Sequence, residues 1–138
     1  MPFWKCYYHI TWTTKYRQPL ITPQIETIVF AAIEQKAIEL NSEILALNGV
    51  EDHVHIAVCI PPRVSISHWI GQVKGAASHA VNIALESQPL PFHWQDGYGV
   101  LTFGARNLPT VVDYITHQKE HHAAGRIQPY LEQSDDAS

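Results

Sequence analysis

The stretch from residue 42 to residue 60, SEILALNGVEDHVHIAVCI, decides how this chain is expected to fold. Its second part, His53 to Ile60, has Val or Ile at every second position, which is typical of a β-strand with one face in the core. Its first part, Ser42 to Val50, is predicted to be a partner strand. Because only Glu51-Asp52 separates them, the two strands are expected to form a hairpin. Asn48-Gly49 is predicted to be a turn or a bulge near the end of the first strand.

The sequence on either side of this hairpin supplies the rest of the fold. In chain order, the other predicted elements are a strand over Trp4–Thr13, a helix from Thr22-Pro23 to Asn41, a helix capped by Ser65, a strand over Tyr98–Phe103 and a helix capped by Asn107. The first six elements follow the order β-α-β-β-α-β of ferredoxin-like folds. We therefore predict an α+β fold, with two helices on one face of a four-stranded antiparallel sheet and an additional C-terminal helix.

Composition and charge limit the classes of protein that this chain can belong to. It has 138 residues with 9 Lys and Arg against 13 Asp and Glu, and this net charge of −4 is not that of a tight non-specific duplex binder. A hydrophobic content of 46% is too high for a disordered chain, and 2 cysteines exclude a disulfide scaffold and a four-cysteine zinc site. We expect one domain over residues 1–131 and a disordered acidic tail over residues 132–138. No run of 18 apolar residues and no signal-peptide pattern is present, so we expect a cytoplasmic protein with no membrane partner.

Histidine is the chemically informative residue type here, because the chain has 9 of them and imidazole both binds metals and moves protons. His53 and His55 are two residues apart in a strand, so both rings lie on one face, roughly 6.5–7 Å apart at the backbone. They are expected on an inner strand, facing away from the two helices. The spacing suits two ligands of one cation, and it also suits a polar pair on a solvated face.

The predicted third helix carries a second pair of polar residues. Tyr114 and Gln118 are four residues apart and therefore share a helix face, and His117 and His121 lie on the same side. A tyrosine in a helix is commonly a packed aromatic residue, and a glutamine is commonly solvated. Neither residue alone indicates a function.

Five blocks of sequence, in the same order, resemble the HUH-type single-tyrosine transposase family, which includes the REP-associated tyrosine transposases. They are YHITWTTKYR at 8–17, VEDHVHIAV at 50–58, SHWIGQVKGAA at 67–77, FHWQDGY at 92–98 and VDYITHQKEHH at 112–122. Together the blocks span about residues 4–122, which makes the resemblance far more specific than the histidine triplet alone. These enzymes move small insertion sequences as single-stranded DNA.

The resemblance implies a chemistry for named residues. Tyr114 would be the nucleophile on a C-terminal catalytic helix, and His53, His55 and Gln118 would hold a divalent metal, Mg²⁺ or Mn²⁺. Attack by the tyrosine would leave a 5′-phosphotyrosine and a 3′-OH, so that DNA is cleaved and rejoined without ATP. The chain would therefore be a single-strand-specific DNA transposase, a DNA strand transferase.

The resemblance also implies partners. They are single-stranded DNA with hairpin ends and a second copy of the chain in a homodimer. The basic residues expected to meet phosphates are Lys15, Arg17, Lys74, Arg106 and Lys119. Trp94 and Tyr98 suit either base stacking or core packing. The chain departs from the family at 102–106, TFGAR, where small polar residues are common.

Three other functions remain open at this point. A domesticated relative would keep the chemistry and nick repetitive palindromes. A non-catalytic nucleic-acid-binding module would keep only the fold, which the presence of Tyr114, His53, His55 and Gln118 disfavours. A structural zinc protein is the least favoured, because histidines alone have suitable spacing. The roles of His117, His121 and His122 are open between assisting proton transfer, lining the DNA path and forming a surface.

Overall fold

The computed structural model of the protein describes residues 3–88 and 90–124. The strands are β1 (Tyr7–Thr13), β2 (Glu43–Val50), β3 (His53–Cys59) and β4 (Gly99–Phe103). The helices are α1 (Pro23–Glu39), α2 (Ile66–Ala84), α3 (Leu108–Thr116) and α4 (Gln118–Ala124). The acidic tail predicted at 132–138 lies outside the described residues. Among the helices in the described part of the chain, none is long and apolar enough to cross a membrane.

The four strands form one antiparallel sheet in the order β2-β3-β1-β4, which confirms the ferredoxin-like α+β fold. β3 is an inner strand, as predicted, and pairs with β2 on one side and β1 on the other. Helices α1 and α2 contact each other and share the main core with Val54, Ile56 and Val58 of β3. The alternation of apolar residues in β3 therefore faces the two helices.

The two long helices begin where the sequence predicts. The Thr22 hydroxyl accepts a hydrogen bond of 3.2 Å from the backbone N–H of Ile25, and Pro23 takes the first helical position of α1. The Ser65 hydroxyl accepts in the same way from His68, at 3.1 Å, at the start of α2. Each cap satisfies a backbone N–H that has no partner within the helix itself.

The hairpin differs from the prediction at Asn48-Gly49. Both residues remain in the ladder, opposite His55 and Val54, and the chain turns at residues 51–52. The irregularity of β2 lies earlier, between Ile44 and Ala46. Gly49 is required for a different reason from turn formation, since a Cβ atom there would collide with the backbone carbonyl oxygen of His53 and approach the Cα of Val54 to 3.1 Å.

The predicted third helix is two helices. α3 ends at Thr116, His117 has φ −103° and ψ 25°, and α4 begins at Gln118. The side-chain amide of Asn48 donates to the carbonyl oxygen of Thr116 at 3.0 Å, which satisfies a carbonyl that would otherwise continue the helix. The start of α3 also differs, because Asn107 lies in a 3₁₀ turn (Ala105–Asn107) and its side chain makes no cap.

The close approach at Gly49 generates a test of stability. We expect Gly49→Ala to destabilise the protein by about 1–3 kcal/mol, because the added methyl group overpacks the hairpin against its own backbone. Gly71→Ala is the matched control, since a Cβ there meets nothing within 4 Å and Gly71 is exposed inside α2. This control should be neutral or stabilising by up to about 1 kcal/mol. Urea unfolding of both variants measures the difference, and equal stabilities would contradict the close contact.

Candidate active site

His53 and His55 lie on the face of β3 that points away from α1 and α2, as the alternation predicts. This face is covered and not solvated, because α3 packs across it through Val111 and Ile115, which surround Ala57. His53 is 6% exposed and His55 is fully buried. A solvated polar pair, the alternative left open by the sequence, is therefore excluded for these two side chains.

Both histidine rings are held at Nδ1. The Asp52 carboxylate oxygen lies 2.6 Å from Nδ1 of His53, and Nε2 of His9 lies 2.7 Å from Nδ1 of His55. An ionised carboxylate only accepts hydrogen bonds, so the hydrogen of His53 lies on Nδ1. The two rings are 5.1 Å apart between centroids and meet edge to face. A metal bound by both rings would therefore be bound through Nε2.

Tyr114 projects from α3 into the same region. It is 5% exposed, and its ring centroid lies 6.2 Å from that of His55. On another side it stacks on His121 of α4, with centroids 4.8 Å apart and planes 13° apart. Neither ring nitrogen of His121 has a hydrogen-bond partner among the described residues. A single chain thus places the predicted nucleophile beside a motif histidine.

Gln118 is fully buried at the start of α4. The residues on either side of it are held by Asn48, which lies directly opposite His55 in the β2–β3 ladder. Asn48 donates to the carbonyl of Thr116 and accepts from the Lys119 ammonium at 2.6 Å. The prediction that Tyr114 and Gln118 share a face of one continuous helix is wrong in its reason, because the helix is broken between them. Asn48 supplies the positioning instead.

The residues present fit a divalent metal. Two imidazoles and one amide are neutral donors that Mg²⁺ and Mn²⁺ accept, and histidine favours Mn²⁺. Each imidazole has a hydrogen-bond partner on its other nitrogen, as metal-ligating histidines usually do. Across the described part of the chain, no group of three or more His, Cys, Asp or Glu side chains is arranged to hold a metal ion. The amide of Gln118 and oxygens from a substrate would therefore have to complete the coordination.

Three of the five predicted basic residues lie in short turns next to the sheet. Lys15 and Arg17 belong to a 3₁₀ turn (Lys15–Arg17) directly after β1, and the turn is anchored by the Thr14 N–H, which donates to the carbonyl of Asp52 at 2.9 Å. Arg106 is exposed in the turn before α3. The turn with Lys15 and Arg17 follows the end of β1 that pairs with His53, whereas Arg106 follows the opposite end of the sheet, where Phe103 pairs with Tyr7.

The other two basic residues make internal contacts. The ammonium of Lys74 donates to the carbonyls of Gln95 and Gly97 at 2.8 and 3.1 Å. Burial lowers the pKa of Lys74, and the charge of Asp96 partly offsets this shift. Lys119, besides its bond to Asn48, lies 2.9 Å from a Glu26 carboxylate oxygen. Both lysines therefore tie elements of the fold together in this structure.

The structure also shows the contacts of Trp94 and His117, whose roles the sequence leaves open. Trp94 is 9% exposed, packs edge to face against Trp12 and donates from its indole N–H to the carbonyl of Lys74, so it belongs to the core. His117 faces Asp113, whose backbone carbonyl, with its side chain, raises the pKa of this histidine above its usual value. Lining of the site by His117 is not supported, and the His122 side chain lies outside the described residues.

Three residues were missed in the sequence, and they hydrogen-bond to the candidate site residues or to their chain neighbours. His9 lies on β1, and only the register of β1 on β3 shows that it reaches His55. Asp52 directly precedes His53, so its proximity was available from the chain alone. Asn48 was interpreted as turn chemistry, and nothing local indicates that its amide reaches α3 and α4.

Comparisons with known proteins lead to one group of proteins, the transposases. The family model described as IS200-like transposase matches residues 2–118. The transposase for insertion sequence element IS200 of Salmonella typhimurium is 30% identical over 126 residues, covering 88% of this chain and 82% of that protein. The ISDra2 transposase TnpA of Deinococcus radiodurans is 21% identical over 117 residues, covering 82% of this chain and 84% of that protein.

Two solved structures share the fold. A Deinococcus radiodurans protein assigned as a transposase superposes with a TM-score of 0.69 at 26% identity, over 85% of this chain and 93% of that chain. A REP-associated tyrosine transposase bound to a REP hairpin superposes with a TM-score of 0.67 at 21% identity, over 88% of this chain and 72% of that chain. The residues matched by the family model, 2–118, include β1, the β2–β3 hairpin, α3 and the start of α4. The chain therefore belongs to the IS200-like transposase family.

Proposed function

We propose that this transposase is single-strand-specific and cleaves and rejoins DNA through a 5′-phosphotyrosine intermediate at hairpin-marked ends. The observation that carries the proposal is the burial of Tyr114 beside His55, on a sheet face where His53 and His55 are both held at Nδ1. A tyrosine that served only for packing would not require two oriented imidazoles as neighbours.

The chain supplies binding, orientation and the nucleophile. His53, His55 and Gln118 would hold a divalent metal, which when bound polarises a phosphate and offsets charge that develops on its oxygens. The Tyr114 oxygen forms a bond to phosphorus as the bond from phosphorus to the 3′ oxygen breaks. The phenol loses its proton, and the departing 3′ oxygen gains one to become a hydroxyl. Attack by another 3′-OH reverses these bond changes and joins new ends.

The DNA partner follows from charge and from the fold. With 9 basic against 13 acidic residues, electrostatics alone would bind DNA weakly. We propose that Lys15 and Arg17, in the turn after β1, and the exposed Arg106 meet phosphates, whereas Lys74 and Lys119 would contribute only by giving up their internal contacts. The REP-associated relative is bound to a hairpin, and we propose that this chain also recognises a hairpin by its shape.

The nucleophile is tested by removing one atom. Tyr114→Phe should abolish the covalent protein–DNA adduct formed with hairpin-containing single-stranded DNA and Mn²⁺, because only the attacking oxygen is lost. The phenyl ring keeps the stack on His121, so the melting temperature should stay close to that of the wild type. Denaturing gels measure the adduct.

Tyr7→Phe is the matched control, since Tyr7 is buried on β1 against Phe103 and outside the site. It should form the adduct normally. An undiminished adduct in Tyr114→Phe would assign the nucleophile elsewhere, and absence of any adduct in the wild type would favour a non-catalytic binding module.

The metal assignment predicts a ranked loss of Mn²⁺ binding. His53→Ala and His55→Ala should each weaken Mn²⁺ binding by about 10-fold or more and nearly stop cleavage, while Gln118→Ala should weaken it less, since an amide is the poorer ligand. The Mn²⁺ affinity of each variant is measured by titrating the protein with Mn²⁺ and following the electron paramagnetic resonance signal of unbound Mn²⁺. His55 is fully buried, so His55→Ala should also lower the melting temperature.

His68→Ala is the control for this series, because His68 is exposed on α2, on the opposite side of the sheet. It should leave both the Mn²⁺ affinity and cleavage unchanged. Normal cleavage by a variant that lacks both His53 and His55 would overturn the metal site.

We also propose that the protein is a homodimer whose two sites each form within one chain. A mass near twice 15.6 kDa is expected in light scattering. Because one chain brings Tyr114 to His55, mixing a Tyr114→Phe chain with a His53→Ala chain should restore no cleavage. Restored cleavage would show instead that the tyrosine of one chain serves the histidines of the other, and a monomer at micromolar concentration would refute the dimer.

A further inference from the structure

We propose that His9 is a positioning residue for His55, which it holds so that Nε2 of His55 is the nitrogen presented to a metal. This inference rests on the proposed function, because it concerns one of the same metal ligands. Neither the histidine triplet nor the helix motif includes His9, which lies on β1, 46 residues before His55.

The contact between the two histidines is short and excluded from water. Nε2 of His9 lies 2.7 Å from Nδ1 of His55, His9 is 2% exposed and His55 is fully buried. The rings are 5.0 Å apart between centroids with planes 22° apart, so they are offset and nearly parallel. A buried hydrogen bond with this geometry restricts rotation of both rings.

The sheet itself places His9 there. His9 lies opposite Ala57 in the β1–β3 ladder and opposite Leu101 in the β1–β4 ladder, so its backbone is paired on both sides. The next residue on the same face, Thr11, lies opposite His55 and donates its hydroxyl to the carbonyl of Val54 at 2.8 Å. The imidazole of His9 therefore starts from a rigid strand and not from a loop.

The direction of this hydrogen bond decides which nitrogen of His55 can bind a metal. A hydrogen bond between two imidazole nitrogens needs one donor and one acceptor. If His9 donated, the hydrogen of neutral His55 would lie on Nε2, and that nitrogen would have no lone pair for a metal. If His55 donates from Nδ1, its Nε2 carries the lone pair, and His9 accepts as a neutral ring with its own hydrogen on Nδ1. Only the second arrangement supports metal binding.

Asp52 contacts His53 in the same way as His9 contacts His55. It accepts from Nδ1 of His53 as His9 would accept from Nδ1 of His55, so both motif histidines are oriented from the same ring atom. The two acceptors differ in charge, since Asp52 is a carboxylate and His9 a neutral imidazole. His9 thus orients a ligand without adding a second negative charge to a buried site that must also admit phosphate.

The test compares two substitutions of His9. His9→Phe keeps a flat ring but has no acceptor, and His9 borders a cavity of about 340 Å³ that can take up the small increase in size. His9→Gln keeps an acceptor oxygen close to the position of Nε2. We expect Mn²⁺ affinity to fall about 10–100-fold in His9→Phe and only a few-fold in His9→Gln.

A second measurement depends neither on activity nor on metal binding. Long-range ¹H–¹⁵N NMR of the metal-free wild type should show the hydrogen of His55 on Nδ1. His9→Phe should turn this signal into that of mixed tautomers, and His9→Gln should preserve it. A wild-type His55 with its hydrogen on Nε2, or equal Mn²⁺ losses in the two variants, would overturn the proposal.

Thr11→Val is the matched control, because it removes another buried hydrogen bond from the same face of β1 without removing the acceptor of His55. It should lower the melting temperature but leave the tautomer and the Mn²⁺ affinity unchanged. If His55→Ala binds Mn²⁺ as the wild type does, the proposed metal site is wrong. If His55→Ala loses Mn²⁺ while His9→Phe keeps it, only the role of His9 is wrong.

Discussion

The pairing of β3 on both sides is the constraint on which the rest of the structure depends. Because β3 lies between β2 and β1, its backbone cannot rotate, and its alternating side chains are committed to opposite faces. Val54, Ile56 and Val58 enter the core with α1 and α2. His53 and His55 are consequently held on the second face, where a shift of one residue would exchange histidines for aliphatic side chains.

The second face becomes a site because another layer covers it. Val111 and Ile115 pack on Ala57, and this small apolar contact brings Tyr114 down beside His55. Burial removes water that would otherwise compete for the imidazoles and makes their hydrogen bonds stronger. Burial also makes an unpaired polar atom costly, and Asp52 and His9 provide partners for the two histidines.

Polar side chains that link elements carry much of the remaining organisation. Asn48 connects the strand opposite His55 to the ends of α3 and α4, and Lys74 connects α2 to the loop before β4. The bonds of Lys74 are partly buried and therefore costly to leave unmade, whereas those of Asn48 lie at the surface. Lys74 and Lys119, two of the basic residues that the sequence predicts for DNA contact, are used in this way.

The sequence by itself determined the sheet and the two long helices, and it predicted the candidate site residues. Period-two alternation in β3, the caps at Thr22 and Ser65 and the ordered blocks of the family are all local signals, and local signals depend only on neighbouring residues. The tertiary structure decided what lies beside each reactive group. The hydrogen bond between His9 and His55 and that from Asn48 to Thr116 join residues far apart in the chain. The second bond lies where α3 ends, next to His117. Both bonds depend on strand register and on the reach of the side chains, which a local sequence pattern does not contain.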